Sequence, residues 1–286
     1  YFKSDRLWPA EFLTTPQMVS QWGDPLTAIV AIPARLKSTR FPRKVLANIF
    51  GQPMLWYVYQ AVTKAKTISE VWVLSDSQEV LNVASSWGAK TLITSEECPS
   101  GTDRIASVMD SLDAEIIVNV QADEPLIDPA VVDRLVKALE DSEADVATPV
   151  YPITTINEIS NSNVVKVVRS HDGFALYFSR SPVPHVRDAN IDDWLAHSNY
   201  WGHSGVYAYR NRVLREFPSL PVGQLEKVEK LEQLRLLESG RDFLTVEIEY
   251  RPQAVDVPED LESVKRILRP GSYPSDSPGT ETNHAK

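Results

Sequence analysis

Between residues 25 and 151, short β-rich runs alternate with helical segments, and this alternation limits the possible folds more than any other feature of the chain. The runs are Thr27–Ile32, Val71–Ser75, Lys90–Thr94, Ile116–Gln121 and Asp145–Val150. Helical stretches lie between them at Met54–Lys66, Gln78–Trp87, Thr102–Leu112 and Pro129–Asp141. Neighbouring parallel strands need a crossover of about a dozen residues or more, and these helices supply it. The pattern predicts an α/β fold built on a mainly parallel sheet with helices on both faces. In such sheets a ligand sits beyond the carboxyl ends of the strands.

After residue 151 the pattern changes. Val164–Arg169 and Phe174–Ser179 flank His171-Asp172-Gly173 and read as a hairpin. His203–Arg210 reads as one strand, and Gln224–Ser239 as one amphipathic helix closed by Gly240. A last strand follows at Thr245–Tyr250 and a last helix at Glu259–Arg269. The expected organisation is an arm at 1–24, a first subdomain at 25–151 and a smaller one at 152–223. Residues 224–269 return to complete the first, and the Pro/Ser/Gly-rich 270–286 form a tail.

At 286 residues the chain has ample length for a core, and no apolar run approaches the roughly 20 residues of a membrane span. No secretory signal is visible from Tyr1 onward. The single cysteine, Cys98, excludes an internal disulfide and suits a reducing cytoplasm. A formal net charge of −10 argues against a nucleic-acid groove, leaving a small anion at one basic site.

That site is visible. Ile32–Lys44 places Arg35, Lys37, Arg40, Arg43 and Lys44 in ten residues, immediately after an apolar strand. The sequence has neither a GxGxxG fingerprint nor a GxxxxGK[ST] loop, so backbone amides, Ser38, Thr39 and the cations must do the cradling. This combination suits a triphosphate whose β,γ part leaves as pyrophosphate.

Further candidates lie at other strand ends. Asp123, in Gln121-Ala122-Asp123-Glu124-Pro125, follows the apolar Ile116–Val120 and needs a cation or a donor. Mg²⁺ takes one or two protein carboxylates beside phosphate oxygens and water, which makes Asp123 a metal-ligand candidate. Asp128 fits the helix cap before Pro129 better than Asp123 does. Asp256, before Pro258-Glu259-Asp260, reads locally as a cap. Ser100-Gly101-Thr102-Asp103-Arg104 reads equally well as a capping box or as a contact for base and ribose. In the second half lie Lys166, Arg180, a bidentate donor suited to a carboxylate, and His203, Tyr207 and Glu232-Gln233, which could divide the hydroxyls of a polyol. Individually, His203 also reads as a satisfied core histidine and Glu232 as a helix surface charge. Spacing alone does not join them.

In this order, the signatures resemble the CMP-Kdo synthetases, cytidylyltransferases that activate 3-deoxy-manno-octulosonate (Kdo). The resemblance runs from about Thr27 to Arg269 and is carried by IPAR-x-x-STR-x-P-x-K, NVQ-x-DEP, YFSR, H-x-G-x-Y-x-YR and LEQLR. It implies CTP as donor, Mg²⁺ as cofactor, a homodimer paired through the second subdomain, and a place in lipopolysaccharide synthesis in the cytoplasm. By the family pattern, Arg35, Ser38, Arg40 and Lys44 match the triphosphate loop, and Arg104 and Gln121 lie near the cytidine. Asp123 and Asp256 match the metal carboxylates, which reverses the local reading of Asp256. Arg180, His203, Tyr207, Glu232 and Gln233 match the sugar-acid pocket. The implied reaction is attack of the anomeric hydroxyl on the α-phosphorus of CTP, with pyrophosphate leaving in line. Arg35, Arg40, Lys44 and Asp123 would be its catalytic residues.

Three positions depart from the pattern: Arg43 and Ala122 stand where Gly or a small residue is usual, and Ser204 where an aliphatic one is. They keep a second acceptor class open, an amino-Kdo analogue, a sialic-type acid or a phosphonate.

Overall fold

The computed structural model describes residues 27–38 and 40–269; the expected arm, the tail and Thr39 lie outside them. In chain order the first part holds β1 (Ala28–Pro33), the short hairpin β2 (Asn48–Ile49) and β3 (Gln52–Pro53), α1 (Met54–Val62), β4 (Glu70–Ser75), α2 (Gln78–Ser85) and β5 (Lys90–Ile93). Then come α3 (Gly101–Ala106), β6 (Ile116–Asn119), α4 (Pro129–Glu140), β7 (Val146–Ile153), α5 (Ile156–Ser160), β8 (Lys166–Arg169), β9 (Ala175–Ser179) and α6 (Trp194–His197). The chain finishes with β10 (Tyr200–His203), β11 (Tyr207–Arg210), α7 (Asn211–Glu216), α8 (Gln224–Glu229), α9 (Gln233–Glu238), β12 (Phe243–Glu247) and α10 (Pro258–Leu268).

Ten strands form one sheet in the order β5-β4-β1-β6-β11-β7-β10-β8-β9, with β12 on the other edge of β7. Seven run the same way; only β9, β10 and β11 oppose them. The expected α/β fold with a mainly parallel sheet is therefore present. Residues 152–223 add β8, β9, β10 and β11 to this sheet rather than building one of their own. β1 shows why the parallel half reads as a continuous apolar run. Ala28, Val30 and Ile32 point into one core and Ile29 and Ala31 into the other, all of them buried.

Three expected elements are broken in the structure. The helix expected over Thr102–Leu112 stops at Ala106, where Ser107 turns its hydroxyl back to the Arg104 carbonyl (2.7 Å), and a single 3₁₀ turn follows at Met109–Ser111. The helix expected over Gln224–Ser239 splits at Lys230, whose backbone is left-handed (φ 55°). The carbonyls freed there are taken by Arg180, with Nε donating to Glu229 O (2.7 Å) and Nη2 to Lys230 O (3.4 Å). Gly240 does close the second piece with positive φ (77°).

The strand expected over His203–Arg210 is β10 and β11 separated by a bulge. Register pairs His203 with Val150 and Ala208 with Ala147, so Ser204–Tyr207 stand opposite Thr148 and Pro149 alone. Pro149 has no N–H for the ladder, and the Thr148 hydroxyl lies on the displaced carbonyls instead, 2.8 Å from Val206 O and 3.3 Å from Ser204 O.

Candidate active site

The carboxyl ends of β1 and β6, neighbours in the sheet, open into one cleft of about 310 Å³. Arg35, Ser38, Arg40 and Lys44 line it from the loop after β1. Gln121, Ala122 and Asp123 come from the end of β6, Gly101 and Arg104 from α3, and Asp256 from the start of α10. Arg35, Ser38, Arg40, Lys44, Arg104, Gln121, Asp123 and Asp256 therefore face the same space, whereas two other cations expected in the cradle lie outside it, Lys37 paired with Glu96 and Arg43 with Glu79. At Gly101 an added Cβ would stand 3.1 Å from Pro33 Cγ and 3.3 Å from Gln121 Oε1, so any side chain there would press on these two cleft-wall residues by a few tenths of an ångström.

Its floor is an ionic knot. The Lys44 ammonium donates to Asp123 Oδ2 (2.7 Å) and Asp256 Oδ1 (3.4 Å), and Arg40 Nη2 donates to Asp256 Oδ1 (3.0 Å). The Val255 N–H donates to Asp123 O (2.9 Å), tying the two segments at backbone level. Leu261 and Val264 of α10 pack on Ile49, Met54 and Val255, which fixes that helix beside the loop. The local reading of Asp256 as the cap is corrected. Asp260 takes that role, its Oδ2 accepting the N–H groups of Asp256 (2.9 Å) and Val257 (3.0 Å), and the Asp256 side chain points into the cleft. Asp128 caps α4 through the Ala130 N–H (2.9 Å), and Ser100 caps α3 through the Asp103 N–H (3.1 Å).

Glu124, next to Asp123, is buried. Desolvation, reinforced by the Asp123 and Asp256 carboxylates, pushes its carboxyl up to about 8. Burial thus disfavours a third charge beside the Asp123 and Asp256 carboxylates. Among the described residues no group of three or more His, Cys, Asp or Glu side chains forms a metal cage. Two convergent carboxylates already gathered about one cation, with open space beyond, fit a hard ion that takes its remaining ligands from phosphate and water.

The departures resolve in different ways. Arg43 has φ 58°, the left-handed region that explains why glycine suits this position, and its guanidinium turns away to pair with Glu79 of α2. Ala122 has no positive φ, so its methyl brings no backbone strain. Ser204 is buried in the bulge.

The second group adjoins the cleft through a polar chain. Gln121 Nε2 donates to Asn119 Oδ1 (3.1 Å), Asn119 Nδ2 to Thr102 Oγ1 (3.4 Å), and the Thr102 hydroxyl to Glu232 Oε1 (2.6 Å). The other Glu232 oxygen, Oε2, is buried without a partner, and burial raises the carboxyl's pKa. Such an oxygen invites a ligand hydroxyl. Tyr207 stacks on Tyr209 (5.5 Å between centroids) and lies 5.3 Å from His203, and Gln233 is buried beside Glu232. Arg180 lies one residue past Ser179, which pairs with Lys166, and His203 one past Gly202, which pairs with the same lysine. The Arg180 guanidinium reaches only backbone carbonyls among the described residues, those of Ser162, Glu229 and Lys230, and pairs directly with no carboxylate; Glu229 Oε2 accepts the Arg180 main-chain N–H instead (2.9 Å). Lys166 is fully buried and its ammonium is spent on the carbonyls of Asn161, Val164 and Arg180. Burial draws it down to about 8.

Sequence reasoning missed Asp76. Its carboxylate pairs with Arg104 (3.3 Å), both side chains at most 8% exposed, and accepts the Leu36 N–H (3.4 Å). It therefore fixes the cationic loop and α3 together. In Leu74-Ser75-Asp76-Ser77 it looks like an ordinary helix-start residue, and only the buried arginine reveals it. Thr148 was also missed, because a single polar residue in an apolar strand gives no signal, and Asn119 enters only as part of NVQ-x-DEP, with no role of its own.

Comparison with known proteins matches this geometry. A cytidylyltransferase family model matches residues 29–243. The chain belongs to the 3-deoxy-manno-octulosonate cytidylyltransferase family. It is 43% identical over 246 residues to such an enzyme of Chloroherpeton thalassium, covering 85% of this chain and 98% of that one. It is 44% identical to that of Acidobacterium capsulatum, with 85% and 97% covered. A CMP:2-keto-3-deoxy-manno-octonic acid synthetase solved in complex with CTP superposes with a TM-score of 0.80 at 37% identity, over 85% of this chain and 98% of that one. A 4-diphosphocytidyl-2C-methyl-D-erythritol synthase from Anaerococcus prevotii shares the fold alone, at 12% identity, TM-score 0.56, and 86% and 100% coverage. The 3-deoxy-manno-octulosonate cytidylyltransferase resemblance expected from the motifs is thus shown over most of the chain.

Proposed function

We propose that the protein couples CTP to Kdo, giving CMP-Kdo and pyrophosphate, and that the observation carrying this reading is the convergence of Lys44, Asp123 and Asp256 in a cleft lined by the cationic loop. Arg35, Ser38, Arg40 and Lys44 hold the triphosphate, and their charge favours pyrophosphate as the leaving group. Arg104 and Gln121 face the cytidine. Asp123 and Asp256 hold Mg²⁺. When bound, that ion supplies Lewis-acid charge at the phosphate and acidifies the attacking hydroxyl. Arg180 clamps the sugar-acid carboxylate, and His203, Tyr207, Glu232 and Gln233 divide its hydroxyls; the unpartnered Glu232 Oε2 favours this assignment. Positioning two substrates in adjoining pockets does most of the catalytic work.

The partner chain is read as a second copy. Leu176 on the edge strand β9 is 59% exposed and Val228 on neighbouring α8 is 75% exposed, and Ser179 of β9 donates to Glu229 of α8 (2.7 Å). These apolar groups form the face for a homodimer paired through this region. Among the described residues no helix is long and apolar enough to cross a membrane; a cytoplasmic site for the reaction is part of the same proposal.

Pyrophosphate release with CTP, Mg²⁺ and a panel of acceptors tests the reading. Kdo should give the highest kcat/KM, and an amino-Kdo analogue, a sialic-type acid and a phosphonate should be poor. Preference for one of the latter would move the protein to another acceptor class.

A further inference from the structure

His203 has a partner whose proton count fixes its own. Its Nε2 lies 2.9 Å from the Thr148 hydroxyl, and that oxygen is 2.8 Å from Val206 O and 3.3 Å from Ser204 O. Carbonyl oxygens only accept, and a threonine hydroxyl carries a single hydrogen. If that hydrogen went to His203, Thr148 Oγ1 would face Val206 O at 2.8 Å with lone pair against lone pair. The hydrogen therefore goes to the bulge carbonyls, and Nε2 must carry its own and donate it to Thr148. Nδ1 is then bare. No described residue bonds to it, and it is not among the fully buried unpartnered atoms, so it keeps access to open space. The ring is held by Phe178 edge-on (4.9 Å) and by Tyr207 (5.3 Å).

We propose that Thr148 is a positioning residue that locks His203 in the Nε2–H tautomer, so that Nδ1 is a dedicated acceptor for one hydroxyl of the sugar acid. The sugar contact rests on the function proposed above; the tautomer does not. Burial supports the same state by pushing the imidazole down to about 3, so the ring stays neutral in the physiological range. The lock arises from the bulge: Pro149 leaves the ladder short of an N–H, the strand opposite buckles, and Thr148 satisfies the freed carbonyls. The consequence is selectivity by donor. A hydroxyl or amino group facing Nδ1 is accepted, whereas a methyl ether or a fluorine there meets a lone pair and is refused.

The test is long-range ¹H–¹⁵N spectroscopy on protein labelled at its five histidines, with His203 assigned from a His203→Gln sample. The wild type should show an unprotonated Nδ1 that shifts when Kdo is added with CDP. Thr148→Val should lose the single tautomer and raise KM for Kdo by about tenfold, the value of one hydrogen bond near 1.4 kcal/mol, with kcat and the KM for CTP little changed. Thr148→Ser, which keeps the hydroxyl, should restore both. A protonated Nδ1 in the wild type overturns the proposal even if Thr148→Val does not fold. So does an unchanged tautomer or an unchanged KM in Thr148→Val. A bare Nδ1 that ignores Kdo while the enzyme turns Kdo over overturns the sugar contact alone; absence of turnover with Kdo overturns the proposed function and leaves the tautomer standing.

Discussion

Lys44 Nζ lies 2.7 Å from Asp123 Oδ2 and 3.4 Å from Asp256 Oδ1, so a single ammonium joins two carboxylates that are far apart in the sequence. The lysine side chain is only 12% exposed, which makes the contact stronger than a surface pair. Lys44→Met should leave the two acids facing each other and remove a charge from the proposed triphosphate subsite. We expect kcat/KM to fall by about 10²–10³, typical for loss of one charged stabilising group. Steady-state pyrophosphate release measures it; a change under about threefold would detach Lys44 from catalysis.

The Arg180 guanidinium bonds only to main-chain carbonyls among the described residues, while its main-chain N–H donates to the Glu229 carboxylate (2.9 Å), so the side-chain charge is available to a ligand carboxylate. Arg180→Ala should raise KM for Kdo by at least about tenfold, since a charge-assisted bond contributes about 1.5–3 kcal/mol. The KM for CTP should stay within about twofold, because a clamp on one substrate acts on that substrate alone. Parallel changes in both constants would mean that the break at Lys230, which Arg180 stabilises, had collapsed.

The Asp76–Arg104 pair is buried on both sides. Removing one partner strands the other charge, so Asp76→Ala should cost about 3–5 kcal/mol, read as a lower denaturant midpoint. It should also loosen the loop at Leu36. A loss below about 1 kcal/mol would show that water reaches the arginine.

Burial holds His203 near 3, well under its ordinary value of 6.5. Between those values the unfolded chain binds a proton that the folded chain refuses. Stability conferred by the neutral ring is complete above pH 6.5 and is lost as pH falls toward 3, with a slope of at most about 1.4 kcal/mol per pH unit. Thermal melts from pH 7 to 5 should show a smaller loss for His203→Gln than for the wild type. Equal losses would mean that the ring titrates normally.

Sequence and structure agree where one physical cause dominates. Asp123 is legible because an apolar strand ends abruptly on a carboxylate, and the loop cations are legible because they oppose the charge of the whole chain. Asp256 is ambiguous locally because Asp260, four residues on, offers the same capping chemistry and takes it. The split at Lys230 is hidden because the apolar period of 224–239 continues through it; the compensating donor, Arg180, comes from just past the end of β9, remote in sequence. Thr148 and Asp76 gain their meaning only from partners brought in by the fold.

The central claim is that Asp123 and Asp256 act together on a divalent ion beside the triphosphate. Its most direct test is a Mg²⁺ titration of pyrophosphate release from CTP and Kdo for the wild type, Asp123→Asn and Asp256→Asn, with CTP affinity measured by calorimetry. Each variant should lose at least about 10²-fold in kcat while still binding CTP, and neither should be rescued to the wild-type rate by excess Mg²⁺. Turnover near the wild-type level in either variant would contradict the claim.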